Sequence, residues 1–180
     1  MRIAVRCITR RVAADNGFGL VELLIALTVL VVGVLATFGV FQSSLLHLGR
    51  ATKISTAAAV GEQQVENLRA VRFDVIGINP AGWTAALGNA TYTGDTACQG
   101  TCTTQGSASG ESIVGASGII MPISSATGAD GKQYTIHTYA LWQTIVAGRS
   151  VKKVTIVVRD PVTSKVWARI VSSFDQSIGL

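Results

Sequence analysis

Residues 17–41 read GFGLVELLIALTVLVVGVLATFGVF, and this stretch decides the fold of the chain. The nineteen residues from Leu23 to Phe41 carry no formal charge. As an α-helix they would extend for about 28 Å, close to the thickness of a bilayer core. Because four arginines precede the run, the positive-inside rule predicts a cytoplasmic N-terminus. The stretch therefore predicts a single membrane-spanning helix.

Two ordinary membrane segments are alternatives to consider. The apolar run of a secretory signal peptide is about 7–15 residues long and ends at a small-x-small cleavage site. Here the run is longer and continues into Gln42 without such a site. A plain single-pass anchor is the second alternative, and length alone does not exclude it.

Glu22 is the residue that a plain anchor does not explain. Moving a carboxylate to the middle of a bilayer costs about 2.5–3.5 kcal/mol, and less near the interface. An anchor gains nothing from that cost, so we infer that the charge at Glu22 has a function.

The residues around Glu22 carry a family resemblance. An arginine-rich leader, the string G-F-x-x-x-E from Gly17 to Glu22 and an immediate apolar span resemble the prepilin processing site of type IV pilins and type II secretion pseudopilins. The resemblance implies that a membrane peptidase removes residues 1–17 by cutting after Gly17. It also implies that Phe18 becomes an N-methylated first residue, and that Glu22 is the family's acidic residue.

A physical role for Glu22 follows from that cleavage. The cut would create an ammonium group at Phe18, which would be buried in a helical filament. At about 4 Å and an effective dielectric constant near 20, a neighbouring subunit's Glu22 would attract it by around 4 kcal/mol. Such a pair would set the axial register between subunits.

The helical pattern continues beyond the apolar run. We predict a transmembrane and filament-core helix over residues 18–44 and an amphipathic continuation over residues 45–76, ended by Asn79-Pro80. Gly33 and Gly39 are the weak points of the first part, where many pilins have a proline. The stripe predicted to be buried consists of Ile54, Ala58, Gly61, Val65 and Leu68.

The middle of the chain, residues 77–131, is rich in Gly, Ser and Thr and is predicted to be mainly loop, with a short strand at Ser117–Ile123. Cys7 lies in the leader, which leaves Cys98 and Cys102 as a pair. Zinc would need two further ligands, and no histidine is near. We expect a disulfide in a surface loop, stabilising the chain by about 2 kcal/mol.

The last segment, residues 132–180, is predicted to be an antiparallel β-meander, which gives an α+β chain with a pilin fold. Its runs are Gln133–Thr144, Val151–Arg159 and Lys165–Phe174. The face predicted to pack on the helix carries Val154, Ile156 and Val158 with Val166, Ala168 and Ile170.

The opposite face of this sheet is predicted to be polar and solvated. A more specific interpretation is a contact for a neighbouring subunit or, as an alternative, for nucleic acid. The candidate partner-binding basic face consists of Lys153, Arg159, Lys165, Trp167 and Arg169. The formal net charge of +5 is largely in the leader, which carries +3, so nucleic-acid binding is not favoured.

The sequence does not favour an enzyme. His47 and His137 lie on different elements without a catalytic or metal-binding pattern, and no cofactor or metal is predicted. Without a P-loop, the assembly motor would be another protein. The first hypothesis is a structural subunit, most like a PilV-type minor pilin. The alternatives are a pseudopilin of a type II secretion or DNA-uptake system, and a single-pass membrane-anchored extracellular binding module.

The resemblance also implies partners and a location. The expected partners are other pilin subunits, a prepilin peptidase and N-methyltransferase, the pilus assembly platform and, before assembly, the membrane. The expected location is the cytoplasmic (inner) membrane with the N-terminus inside, followed by an extracellular or periplasmic filament.

Overall fold

The computed structural model describes residues 19–98, 100–145 and 149–176. The predicted processing residues Gly17 and Phe18, like Cys7, lie outside these ranges. The chain divides into two compact units, Met1–His47 and Leu48–Leu180, and we call the second unit the head.

The first helix, α1 (Leu20–Arg69), contributes residues to both units. Every residue from Leu20 to His47 is exposed to solvent. The hydroxyl groups of this part donate to carbonyls one turn earlier, as in Thr28 to Ile25 at 2.8 Å. The same bond is made by Thr37, Ser43 and Ser44. These polar groups are satisfied within the helix, as a helix in lipid requires.

Within the head, the last turns of α1 bury one stripe. Its residues are Ala57, Val60, Gly61, Val65 and Leu68. The predicted burial of the last three is confirmed, whereas Ile54 is 49% exposed because it lies one turn before the first buried position. Helix and sheet approach each other closely at Gly61, where an added Cβ would lie 2.5 Å from Ile170 Cδ1.

The sheet of the head has four antiparallel strands in the order β1-β2-β3-β4. They are β1 (Ile123–Thr127), β2 (Gln133–Ile145), β3 (Arg149–Arg159) and β4 (Val166–Phe174). The predicted α+β class, a long N-terminal helix followed by an antiparallel meander that fits a pilin fold, is confirmed. The strand predicted at Ser117–Ile123 was misplaced, since β1 begins where that segment ends.

The amphipathic helix predicted over residues 45–76 ends at Arg69, and a 3-10 turn at Phe73–Val75 follows it. The segment predicted to be loop contains short helices, which are α2 (Pro80–Leu87), α3 (Ala90–Thr93) and a 3-10 turn at Thr96–Cys98. Asn79, predicted as part of a helix stop, caps α2, because its side chain accepts the N–H of Ala81 at 2.9 Å. This segment forms a layer of its own rather than an open loop.

That layer covers the face of the sheet that was predicted to be polar and solvated, so the prediction was wrong. Tyr139, Leu141 and Val157 point into a second core beneath α2, α3 and the Cys98–Cys102 turn. Tyr92 fixes the layer, because its hydroxyl donates to Thr138 O at 2.9 Å. The central strands β2 and β3 are therefore buried on both faces, as their nearly continuous apolar sequence allows.

A β-bulge alters the two faces of β4. Val158 pairs with Ala168 and Arg159 pairs with Val166, so Trp167 is the extra residue of the bulge. Because a one-residue shift reverses which side chains face inward, Trp167 packs against the main core while Val166 is 39% exposed. The predicted inner position of Val166 and outer position of Trp167 were both wrong.

Candidate functional site

The N-terminal part of α1 is the first candidate site, and Glu22 lies in its first turn. The backbone N–H of Glu22 donates to Gly19 O at 2.9 Å, which begins the helix. From Leu20 to Gly49, Glu22 is the only residue with a formal charge. A carboxylate in a first helical turn interacts favourably with the helix dipole. The side chain is exposed and thus available to a cation outside this chain.

The apolar surface of the same segment is extensive. The most apolar 18-residue window of α1 has a mean hydropathy of 2.7, and none of it is buried in the protein. By length and composition, α1 is suited to cross a membrane. Contiguous exposed apolar surface of this size needs lipid or another protein to cover it.

The comparison with protein families addresses this segment directly. Residues 13–38 match the model of the family described as the prokaryotic N-terminal methylation motif. The match supports a type IV pilin-like family. The motif implies processing by a prepilin peptidase and assembly with other pilins, and its family is structural rather than catalytic. No curated protein and no solved structure matches the chain.

The matched region includes the predicted processing residues. Gly17 and Phe18 lie within it, and both are outside the described residues, so the structure gives no geometry for the cleavage site. The apolar helix and the motif together fit a membrane-anchored pilin. The rest of the chain, including the whole head, lies outside the match.

In the head, two arginines of the predicted basic face are held by one buried carboxylate. Asp95 accepts from Arg159 Nη2 through Oδ2 and from Arg169 Nη2 at 2.8 Å through Oδ1. Its Oδ1 also accepts the backbone N–H of Ala97 at 2.7 Å. The side chains of Asp95, Arg159 and Arg169 are 1%, 11% and 34% exposed. This triad joins the covering layer to β3 and β4.

The electrostatics of the triad favour an ionised Asp95. Burial alone would raise the pKa of this carboxyl. The N–H of Ala97 and the guanidinium groups of Arg169 and Arg159 outweigh burial and hold the pKa below its usual value. Asp95 lies 64 and 74 residues from its partners, a separation at which sequence patterns give no signal.

The other members of the predicted basic face are not gathered with these arginines. Lys165 is exposed in the β3–β4 turn, and Lys153 is partly buried on β3. Trp167 packs against the main core, with Lys165 Nζ 4.6 Å from its ring centroid. The five residues therefore do not form one continuous face.

A buried lysine that was not predicted from the sequence lies next to Lys153. Lys152 is only 4% exposed, and its Nζ donates to Phe73 O at 2.6 Å and Ile76 O at 2.7 Å. Burial lowers the pKa of Lys152, and the charge of Asp74 opposes that shift. Lys152 holds the turn that follows α1 against the sheet. Lys152 lies on the same face of β3 as Val154, Ile156 and Val158. This position was the signal in the sequence that the lysine is buried.

The predicted cysteine pair is joined in a disulfide between Cys98 and Cys102. Both cysteines are fully buried in the second core, so the expectation of a surface loop was wrong. The bond closes a short turn just after Asp95, within this buried layer. Among the described residues, no group of three or more His, Cys, Asp or Glu side chains could hold a metal ion.

His137 gives the head an expected sensitivity to acid. Burial, and then the charge of Arg159, lower the pKa of His137 to about 4, while Asp95 acts in the opposite direction. In the unfolded chain the same histidine takes up a proton near pH 6.5. We therefore expect the free energy of unfolding to fall by about 3 kcal/mol as the pH drops from 7 to 4.

Urea unfolding at a series of pH values measures this dependence, with His137→Gln as the comparison. In the variant, the free energy of unfolding should no longer fall between pH 6.5 and 4. It should still fall below pH 4, where Asp95 takes up a proton. An identical pH profile in both proteins would show that His137 does not titrate as expected.

Proposed function

We propose that the chain is a structural subunit of a type IV pilus, a minor pilin, inserted in the membrane and then assembled into a filament through its N-terminal helix. The observation that carries this is the coincidence of the methylation motif at residues 13–38 with an exposed helix whose only charge between Leu20 and Gly49 is Glu22. In the proposed sequence of events, a peptidase cuts between Gly17 and Phe18, and the new N-terminus is methylated.

The apolar part of α1 has two successive environments in this proposal. Lipid covers it before assembly, and the helices of neighbouring subunits cover it in the filament. Because both environments are apolar, exchange between them costs little hydrophobic free energy. Pairing of the Glu22 carboxylate with the Phe18 ammonium of a neighbouring subunit then sets the axial register between the two subunits.

The head is the part of the subunit that would lie outside the helical core of the filament. The central strands of its sheet are buried on both faces, and its covering layer is fixed by the Asp95 triad and contains the disulfide. These contacts suit a domain that remains folded outside the cell. A PilV-type place within the pilins is part of the proposal and rests on the pattern of helix and sheet.

Filament preparations sheared from cells test the proposal. An epitope-tagged chain should co-purify with the filaments at a low ratio to the main subunit, and deletion of its gene should reduce filament number. Absence from sheared filaments combined with retention in the periplasm would favour a secretion or DNA-uptake pseudopilus. Retention of the uncut chain in the membrane would favour an anchored binding module.

A further inference from the structure

A small polar cleft lies at one end of the sheet, between the covering layer and the β3–β4 turn. Its volume is about 220 Å³. Sites for drug-sized ligands occupy about 300–1,000 Å³, so a cleft of this size suits a smaller molecule. We call it the turn cleft. The cap and first turn of α3 with β2 contribute Asn89, Thr91, Thr135 and His137, and β3 with the turn contributes Arg159, Asp160 and Ser164.

Several hydrogen-bonding groups of the turn cleft have no partner within the protein. The Oδ1 atom of Asn89 accepts the N–H groups of Thr91 at 2.9 Å and Tyr92 at 3.0 Å, which leaves its amide NH2 to donate elsewhere. Among the described residues, the hydroxyl groups of Thr91, Thr135 and Ser164 make no hydrogen bond. One amide and three hydroxyl groups able to bind a ligand therefore belong to residues that line one small cleft.

Two nitrogen atoms beneath the surface of the cleft also lack partners. His137 is only 2% exposed, and its Nδ1 has no hydrogen-bond partner among the described residues. The same holds for Arg159 Nε, whereas Nη1 and Nη2 of Arg159 donate to Ser164 O and to Asp95. Buried polar atoms without a partner are rare, because the hydrogen bonds they lose to water are not replaced. Such atoms call for a further polar molecule nearby.

Ser164 has a backbone conformation that favours glycine. Its φ is 57°, and it is the only non-glycine residue with a positive φ in the part of the chain that the structure describes. Its N–H donates to Asp160 O at 3.0 Å, and its carbonyl accepts Arg159 Nη1 at 2.7 Å, so the turn holds it in place. Because glycine adopts this conformation at less cost, the turn itself does not need a serine. Strained residues of this kind cluster at ligand sites.

The charges around the turn cleft balance one another. Arg159 is paired with Asp95. The backbone N–H of Thr163, together with that of Val162, holds the pKa of Asp160 below its usual value, so this carboxyl is ionised. An anion in the cleft would meet the carboxylate of Asp160, and a cation would meet the guanidinium of Arg159. The balance of charge therefore favours an uncharged ligand.

We propose that the turn cleft binds a single neutral sugar ring. Hydroxyl groups both donate and accept hydrogen bonds, so the threonine and serine hydroxyls of the cleft can pair with those of a sugar. Ile123 and Pro161 also line the cleft and supply an apolar surface for the C–H face of the ring. This inference goes beyond the proposed function, because the site lies within the head and does not require a filament.

Titration of the full chain with sugars, followed by NMR spectroscopy, tests the site. The chain is labelled with 15N and kept in micelles of a detergent that has no sugar head group. The probes are the methyl glycosides of glucose, galactose, mannose and N-acetylglucosamine. We expect at least one of them to shift the amide resonances of Thr91, Thr135 and Ser164 until the shifts saturate.

Two variants separate binding from folding. Thr135→Val keeps the shape of the side chain and removes its hydroxyl, so the affinity should fall about fivefold. Ser164→Gly removes a hydroxyl and also relieves the left-handed backbone strain. It should weaken binding by a similar factor without lowering the urea concentration at the midpoint of unfolding. Thr84→Val is the control, since Thr84 is an exposed threonine of α2 outside the cleft, and it should bind sugar like the wild type.

Three results would overturn this inference. The first is the absence of a saturable shift with any of the four glycosides. The second is equal affinity in Thr135→Val, Ser164→Gly and the wild type, which would place the sugar elsewhere. The third is a shift of the same resonances by sodium sulfate but not by sugars, which would indicate an anion site. None of these results bears on the proposed function, which the sheared filaments test separately.

Discussion

Replacing Asp95 with alanine is expected to lower the free energy of unfolding of the head by about 3 kcal/mol. The substitution removes the carboxylate but leaves Arg159, whose side chain is 11% exposed, without its partner. Breaking a buried ion pair from one side costs about 3–5 kcal/mol, because the remaining charge stays desolvated. We expect the lower end of that range, since Arg169 is 34% exposed and can regain water.

The backbone N–H of Ala97 adds to the loss of stability when Asp95 is replaced. Without the side chain, the N–H of Ala97 loses its acceptor in a turn that is otherwise buried. A buried donor left without a partner costs about 1–3 kcal/mol, part of which is already included in the estimate for the pair. The expected loss is a large fraction of the stability of a small domain.

Urea unfolding of the full chain in detergent micelles measures the effect. Tryptophan fluorescence is the probe, because Trp83, Trp142 and Trp167 all lie in the head. Glu66→Ala is the matched control, since Glu66 pairs with Arg69 at 2.7 Å on the surface, where the two side chains are 65% and 59% exposed. This control should change the free energy of unfolding by less than about 1 kcal/mol. Equal effects of the two substitutions would mean that the buried triad does not stabilise the head.

Replacing Glu22 with alanine is expected to reduce incorporation into filaments at least about tenfold, while membrane insertion and cleavage continue. The apolar run that drives insertion is unchanged by the substitution. The Phe18 ammonium of a neighbouring subunit, however, would lose its counter-charge in an apolar filament core. The pair's attraction is about 4 kcal/mol at 4 Å, and a net loss of 1.4 kcal/mol is enough for a tenfold change.

Two further variants test whether assembly depends on the charge of Glu22, on the size of its side chain, or on any carboxylate of the same helix. Glu22→Gln keeps the shape and removes the charge, so it should resemble the alanine variant. Glu62→Ala removes an exposed carboxylate from the same helix and should assemble normally. The measurement is the amount of each chain in sheared filaments relative to the membrane fraction. Normal incorporation of both Glu22 variants would contradict the pairing with the N-terminal ammonium.

The helix and the meander were predictable because each has a strong local signal. An uncharged run of nineteen residues and a helical stripe ending at Leu68 define α1. Runs rich in β-branched residues between turns define β3 and β4. These signals depend on neighbours within a few residues, so no long-range contact is needed to recognise them.

The covering layer was missed because its contacts are distant in the chain. Residues 77–131 have the composition of a loop, and their short helices become stable only by packing on β2 and β3. One signal was available in the run Val154–Val158, where Thr155 is the only polar residue. A strand that is buried on one face alone alternates more regularly between apolar and polar residues.

The two faces of β4 were misread because of a single bulge. Strict alternation places Val166 inward and Trp167 outward, and the extra residue at the bulge reverses both. Bulges depend on the pairing of two strands, which alternation in one strand does not reveal. The same reversal brings Trp167 next to Lys53, a contact that sequence reasoning did not predict.

The N-terminal motif was read from sequence, and the family match at residues 13–38 supports that interpretation. Cleavage between Gly17 and Phe18 stays a prediction. The most direct measurement is the intact mass and N-terminal sequence of the chain purified from cells that contain a prepilin peptidase. We predict a chain that begins at N-methylated Phe18. An uncut chain beginning at Met1, or one cut beyond Phe41, would contradict the assignment to the pilins.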